Sequence, residues 1–179
     1  MKILRNVIKN DLILRTQKDY PVEGVEFIDI TPAILQREVF EEIIDLFVKE
    51  IKDKKIDYII APEARGFLLG SAISYELGIG CVPIRKKGKL PPVAVESTFD
   101  YEKEYGSDTL ELPKLVNDDY KGKKVYIVDD IYATGNTIQS IKKALEEKGA
   151  KVVGVGVIMN IVELNNDKDI FSLIDINEG

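Results

Sequence analysis

Hydrophobic positions along the chain fall into short apolar runs that each end at a polar turn and then resume at helical spacing. The clearest run, Val125 to Val128, is β-branched and aromatic, which predicts a strand buried on both faces, as in a parallel sheet. It stops at Asp129 and Asp130, which do not belong in that core and so belong at the strand's carboxyl end, where open α/β sheets place ligands. A turn of small and hydroxylated residues follows, and Ile138, Ile141, Ala144 and Leu145 then recur as a helix face. The same order appears earlier: Ile56 to Ile60 as a strand, residues 61–66 as a turn, Phe67 to Leu77 as a helix.

Cys81 to Ile84 predicts another strand, followed at once by Arg85, Lys86, Lys87, Gly88 and Lys89. Lys151 to Met159 and Phe171 to Ile176 complete the strands, with a polar loop at 163–169. Toward the amino end, residues 1–15 read as a short amphipathic helix and 16–26 as a loop containing Pro21 and Gly24. Thr31 as N-cap with Pro32 behind it predicts a helix to about Asp53, its apolar face made by Leu35, Val39, Ile43, Leu46, Phe47 and Ile51. Strands alternating with helices over 179 residues imply one α/β domain, residues 1–179, with a mainly parallel central sheet flanked by helices. Gly154 and Gly156 invite a dinucleotide fingerprint, but no third small residue stands at Met159 and no helix follows.

Composition narrows the chemistry. With 25 Lys plus Arg against 31 Asp plus Glu, the formal charge is −6, which argues against nucleic acid as the main partner. There is no His, which removes Ser–His and Cys–His catalysis and most catalytic zinc sites. One cysteine, Cys81, excludes a disulfide framework and suits a reducing cytoplasm; in its apolar run it reads as a small buried hydrophobe. No apolar run approaches the roughly 20 residues that cross a bilayer, so the expectation is an intracellular protein with no membrane partner.

Carboxylates, phosphate binding and hard metals remain. In the turn of Ala133, Thr134, Gly135, Asn136 and Thr137, free backbone N–H groups at a helix start make a phosphate site. The acid pair ahead of it suits vicinal sugar hydroxyls, or a divalent metal through water. The plainer reading is a strand end capped by two acids and a helix N-capped by Thr134 or Asn136. Arg65 beside Gly66 is either a fork for a phosphate or a solvated charge. The cations from Arg85 to Lys89 are either a mobile basic surface loop or a pyrophosphate site.

These residues also carry a resemblance. VYIVDDIYATGNT resembles the phosphoribosyl-pyrophosphate (PRPP) signature of type I phosphoribosyltransferases, with Asn136 where Gly is usual. Glu63 to Phe67 and CVPIRKKGKLP, continuing through Glu104-Tyr105-Gly106 to Leu112, are similar to the adenine phosphoribosyltransferases, as is Gly24 to Thr31, where Ile28 replaces the usual basic residue. The resemblance spans residue 16 onward and implies the type I fold with a small hood and a flexible lid loop over residues 86–104. It implies transfer of 5-phosphoribose from PRPP to adenine, giving AMP and pyrophosphate in purine salvage.

By the same resemblance, Ala133 to Thr137 hold the 5-phosphate, Asp129 and Asp130 the ribose, and Glu63, Ala64, Arg65, Arg85, Lys86 and Lys89 the pyrophosphate. Val25 and Phe27 meet the purine, although Phe27 also reads as plain core. Arg65 and Glu104 are the expected catalytic side chains, Glu104 managing the purine's proton, although composition alone makes it a solvated charge. Mg2+ is implied, bound mainly through substrate oxygens, with Asp129 and Asp130 reaching it through water. A homodimer is implied too. The rivals are a transferase for hypoxanthine, guanine or xanthine, for which Ile28 leaves room, and a non-catalytic PRPP-binding regulator.

Overall fold

The structure, a computed structural model of the chain, describes residues 15–19, 23, 26–103 and 106–176. The expected N-terminal helix, Val25 and Glu104 lie outside them. The chain divides into two compact units between Leu46 and Phe47.

In the first unit, β1 (Arg15–Lys18) and β2 (Glu26–Asp29) pair antiparallel, so part of the expected loop at 16–26 is strand. The expected continuous helix is two: α1 (Thr31–Leu35) and α2 (Arg37–Ile51), followed by a 3-10 turn at Lys52–Lys54. Thr31 is not the cap. Ile30 is the N-cap, and Asp29 Oδ1 accepts the Thr31 N–H at 2.9 Å and its hydroxyl at 2.5 Å. Gln36 takes extended angles, φ −98° and ψ 106°, so the 100° helical phase does not carry from α1 into α2. Leu35, expected on the buried face, is therefore 74% exposed, whereas Val39, Ile43, Phe47 and Ile51 are buried.

The second unit is built on a seven-stranded sheet. Its strands are β3 (Tyr58–Pro62), β4 (Gly80–Lys86), β5 (Val95–Lys103), β6 (Gly106–Pro113), β7 (Lys124–Tyr132), β8 (Lys151–Ile161) and β9 (Ile170–Ile176), in spatial order β5-β6-β4-β3-β7-β8-β9. Strands β4, β3, β7, β8 and β9 run parallel, and β5 and β6 form an antiparallel hairpin joined to β4 through Arg85↔Glu111 and Lys86↔Leu110. The expected lid loop is thus partly strand, because Val95 to Lys103 alternates and finds a partner in β6.

Two helices cover the sheet from opposite sides, α3 (Arg65–Leu77) after β3 and α4 (Asn136–Glu147) after β7. The crossovers β3-α3-β4 and β7-α4-β8 run in opposite directions from the sheet's middle, and right-handed connections then put their helices on opposite faces. Ile138, Ile141 and Leu145 of α4 join Ile60, Val125, Ile127 and Val157 in one buried cluster, each full burial stabilising by roughly 1.5–3 kcal/mol. On α3, Gly70 lies so close to β3 that a Cβ there would stand 2.6 Å from that of Ala61.

Gly154 and Gly156 have a packing explanation. Tyr126 is fully buried and donates its hydroxyl to Val155 O at 3.2 Å, and a Cβ on Gly154 or Gly156 would meet its ring at 3.0 Å or less. The register slips by one residue between Val125 and Tyr126 at this point.

Candidate active site

Because β4 lies on one side of β3 and β7 on the other, the strand order switches direction between β3 and β7, and the crevice at their carboxyl ends is where such sheets bind ligands. Both turns singled out in the sequence open there. The strand β7 runs on through Tyr132, so Asp129 and Asp130 stand within its last residues and not beyond its end. Asp130 is only 3% exposed and Asp129 half-buried, placements that an apolar interior tolerates only with partners. Arg65, the first residue of α3, supplies one across the crevice, its Nε 2.7 Å from Asp130 Oδ2. Asp129 Oδ1 accepts the Asp130 N–H at 2.9 Å. Burial, and then the Asp130 charge beside it, pushes the Asp129 carboxyl well above the usual carboxylate range.

After Tyr132 the chain turns through Ala133 and Thr134 to Gly135, which is the N-cap of α4 at φ +81°, a conformation Gly adopts without strain. No side chain caps α4, contrary to the plain N-cap reading of Thr134 or Asn136, and its first residues help line a cavity of about 100 Å³ formed by Asp129 and residues 131–138. Unpaired N–H groups at a positive helix end are what an anion binds.

The turn after β3 is organised by charge. Glu63 Oε2 accepts from Arg85 Nε at 3.0 Å and from the Lys86 N–H at 2.9 Å. The Lys86 amide first, and the Arg85 contact after it, hold the Glu63 carboxyl below its usual range. Glu63 thereby joins the β3 turn to the basic end of β4. Arg85 also lies over the Phe67 ring at 5.6 Å.

The basic turn beyond β4 is hydrogen-bonded to the neighbouring strand β6. Glu111, 5% exposed on β6, accepts the Gly88 N–H at 2.8 Å and the Leu90 N–H at 3.2 Å, and Lys87 N–H bonds Thr109 O at 3.0 Å. Lys86, Lys87 and Lys89 are exposed on this turn. Sequence reasoning passed over Glu111, although an acid between Leu110 and Leu112 in a strand needs a partner. It also passed over Tyr132, Gln139, Asn165 and Asp167, which surround the back of the β7 turn.

The structure therefore brings Glu63, Ala64, Arg65, Arg85, Asp129, Asp130 and Ala133 to Thr137 to one edge of the sheet, with Lys86 and Lys89 just beyond. Phe27 is half-buried on β2 in the first unit. An uncapped helix start, a carboxylate pair and a basic strand end meet at one switch point, an arrangement with the chemistry that a phosphorylated sugar would need. Residues 32–177 match the phosphoribosyl transferase domain, and the chain belongs to that family.

Relatives narrow the kinship. The adenine phosphoribosyltransferase of Clostridium botulinum (strain Hall) is 44% identical over 164 residues, 92% of each chain. That of Clostridium acetobutylicum is 43% identical over 169 residues, 92% of this chain and 96% of its own. Among solved structures, the adenine phosphoribosyltransferase of Thermoanaerobacter pseudethanolicus superposes with a TM-score of 0.85 at 38% identity, covering 95% of this chain and 99% of its own. That of Saccharomyces cerevisiae, complexed with adenine and an imino-altritol bisphosphate, gives 0.80 at 35% identity, covering 96% and 99%.

Proposed function

We infer that this chain transfers the 5-phosphoribosyl group of PRPP to adenine, releasing pyrophosphate and forming AMP. The observation that carries the reading is the pairing, across one crevice, of an uncapped small-residue turn beside two acids with a turn built from cations. Those two surfaces match the two ends of PRPP. The turn of Ala133 to Thr137 takes the 5-phosphate, and Asp129 and Asp130 accept the ribose hydroxyls. Arg65, Arg85, Lys86, Lys89 and the turn amides at Ala64 take the pyrophosphate, with Glu63 holding Arg85 in place.

As the C1–O bond to pyrophosphate breaks, its electron pair leaves with the pyrophosphate, where the cations stabilise the developing charge. Adenine N9 forms the new bond to C1, and the proton the base gives up passes to Glu104. Phe27 and Val25 meet the purine. Alignment of base and sugar in a closed site supplies much of the rate.

Asp129 and Asp130 are hard oxygen donors suited to Mg2+, but among the described residues no cluster of three metal-ligating side chains exists. That donor set fits an ion held mainly by substrate oxygens, with these two acids reaching it through water, and the ion would neutralise pyrophosphate charge. The family match runs on both sides of Leu46, which supports reading residues 1–179 as a single catalytic domain. A cytoplasmic homodimer belongs to the same reading. Burial raises the Cys81 thiol's pKa, keeping it protonated, and Leu68 and Tyr75 of α3 offer exposed apolar surface to a second copy; sedimentation velocity tests the dimer.

The 6-oxopurine alternative is not favoured, since the relatives above are adenine enzymes. A spectrophotometric assay with PRPP and Mg2+ against adenine, hypoxanthine, guanine and xanthine decides it. Adenine should be turned over fastest, and a preference for another base would overturn the reading. In the same assay Glu104→Gln should lower turnover roughly 10²-fold while Glu102→Gln leaves it unchanged; equal, harmless effects would remove Glu104 from the mechanism.

A further inference from the structure

The β7 turn lacks the side-chain cap that ordinarily steadies a helix start, yet a phosphate cradle works only if its amides are already aimed. What holds it comes from behind, from the connection between β8 and β9. Tyr132, 1% exposed, donates its hydroxyl to Asp167 Oδ2, and Gln139 Nε2 donates to both groups, at 3.2 Å to the phenol oxygen and 3.1 Å to the carboxylate. The phenol lies directly beneath Gly135, where a Cβ would stand 2.5 Å from Tyr132 Cζ. Asn165 Nδ2 lies 3.0 Å from Ala133 O and 2.9 Å from Ile161 O, and its own Oδ1 accepts the Asp167 N–H at 3.2 Å. The turn is thus held at two points by one short segment: directly at the Ala133 carbonyl, through Asn165, and indirectly beneath Gly135, through the Tyr132 phenol that Asp167 fixes.

We propose that Tyr132 and Asp167 are positioning residues which set the phosphate turn for PRPP, taking the place of the missing helix cap. The proposal rests on the PRPP reading above and deepens it. Asp167 places a negative charge near an anion site, and the two donors that Tyr132 and Gln139 turn into it reduce that cost. Burial and the Asp167 hydrogen bond push the Tyr132 hydroxyl up to about 12, so it remains a donor throughout neutral pH. Asp167 itself is exposed, so its substitution spares the core.

Steady-state kinetics of the full chain with PRPP, Mg2+ and adenine, together with thermal melting, tests this. Tyr132→Phe and Asp167→Ala should each raise the KM for PRPP roughly tenfold, the loss of one such hydrogen bond, with the KM for adenine and the Tm unchanged. The double variant should be no worse than either single one, because both break the same contact. Asp167→Asn retains an oxygen acceptor for the phenol and should restore the parental value. An unchanged KM for PRPP in Tyr132→Phe overturns the proposal. So does a rise in both KM values together with a lower Tm, or an Asp167→Asn protein as impaired as Asp167→Ala. Failure of the parent enzyme to form AMP from PRPP would instead overturn the PRPP reading itself.

Discussion

The turns after β3 and β7 share one topology, strand to turn to helix, and meet through the Arg65–Asp130 ion pair, yet in the proposed reading they would hold phosphate by different means. The β7 turn uses backbone: small residues, one left-handed Gly and uncapped amides. The β3 turn uses side-chain charge, with Glu63 drawing in Arg85 from the neighbouring strand. A backbone cradle is damaged by adding atoms, a charge-built one by removing them. The two should therefore answer to opposite kinds of substitution.

The largest effect is expected at Gly135. Gly135→Val places a β-branched side chain at φ +81° and against the Tyr132 ring, and calorimetry should find PRPP binding lost by about 10²-fold or more, given strain and steric costs of order 1–3 kcal/mol each. A folded variant with parental affinity would mean that the β7 turn is not the cradle. Thr137→Val, removing one hydroxyl from the same turn, should be far milder.

Next comes the acid pair. Asp129→Asn with Asp130→Asn should cost about 1.5–3 kcal/mol of PRPP binding per residue while circular dichroism stays native. Parental kinetics in that double variant would separate the acids from the ribose.

A smaller effect is expected on the charge-built side. Glu63→Gln leaves Arg85 and the Lys86 amide without a full carboxylate, and should weaken product inhibition by pyrophosphate several-fold, about 1 kcal/mol, with the affinity for ribose 5-phosphate unchanged. If both ligands weaken alike, the division of labour between the turns fails.

The smallest is a pH effect. The folded Asp129 carboxyl binds its proton more tightly than the unfolded one, so between the ordinary carboxylate range and its raised value the folded state loses stability as pH rises. If Asp129 accepts the ribose hydroxyls as proposed, its ionised form binds them best, so kcat/KM for PRPP should rise across that same window, and Asp129→Asn should flatten the limb. A limb unchanged in Asp129→Asn would assign it elsewhere.

Legibility in the sequence followed the same division. The β7 turn could be read because its chemistry is contiguous: a buried run, two acids and five small residues within thirteen positions. The five parallel strands and the two helices between them followed from periodicity, whereas the β5–β6 hairpin and the spatial strand order that makes the switch point did not. What escaped was what depends on distant partners. The bond between Glu63 and Arg85, 22 residues away, was not legible. Tyr132 and Asp167 lie 35 residues apart and meet only because β8 returns beside β7. The break at Gln36 escaped for the opposite reason, since the apolar spacing runs through it while one residue's backbone does not.

The close fit of Tyr126 over Gly154 and Gly156 has a consequence for how such chains diverge. Three positions share one volume: Gly154 cannot grow unless Tyr126 shrinks or moves, and Gly156 is confined by Phe47 as well as by Tyr126. Gly154→Ala alone should be disruptive, and far better tolerated in a background where Tyr126 is already Val. To selection these three places behave as one locus, and drift there proceeds by exchange of bulk between neighbouring strands.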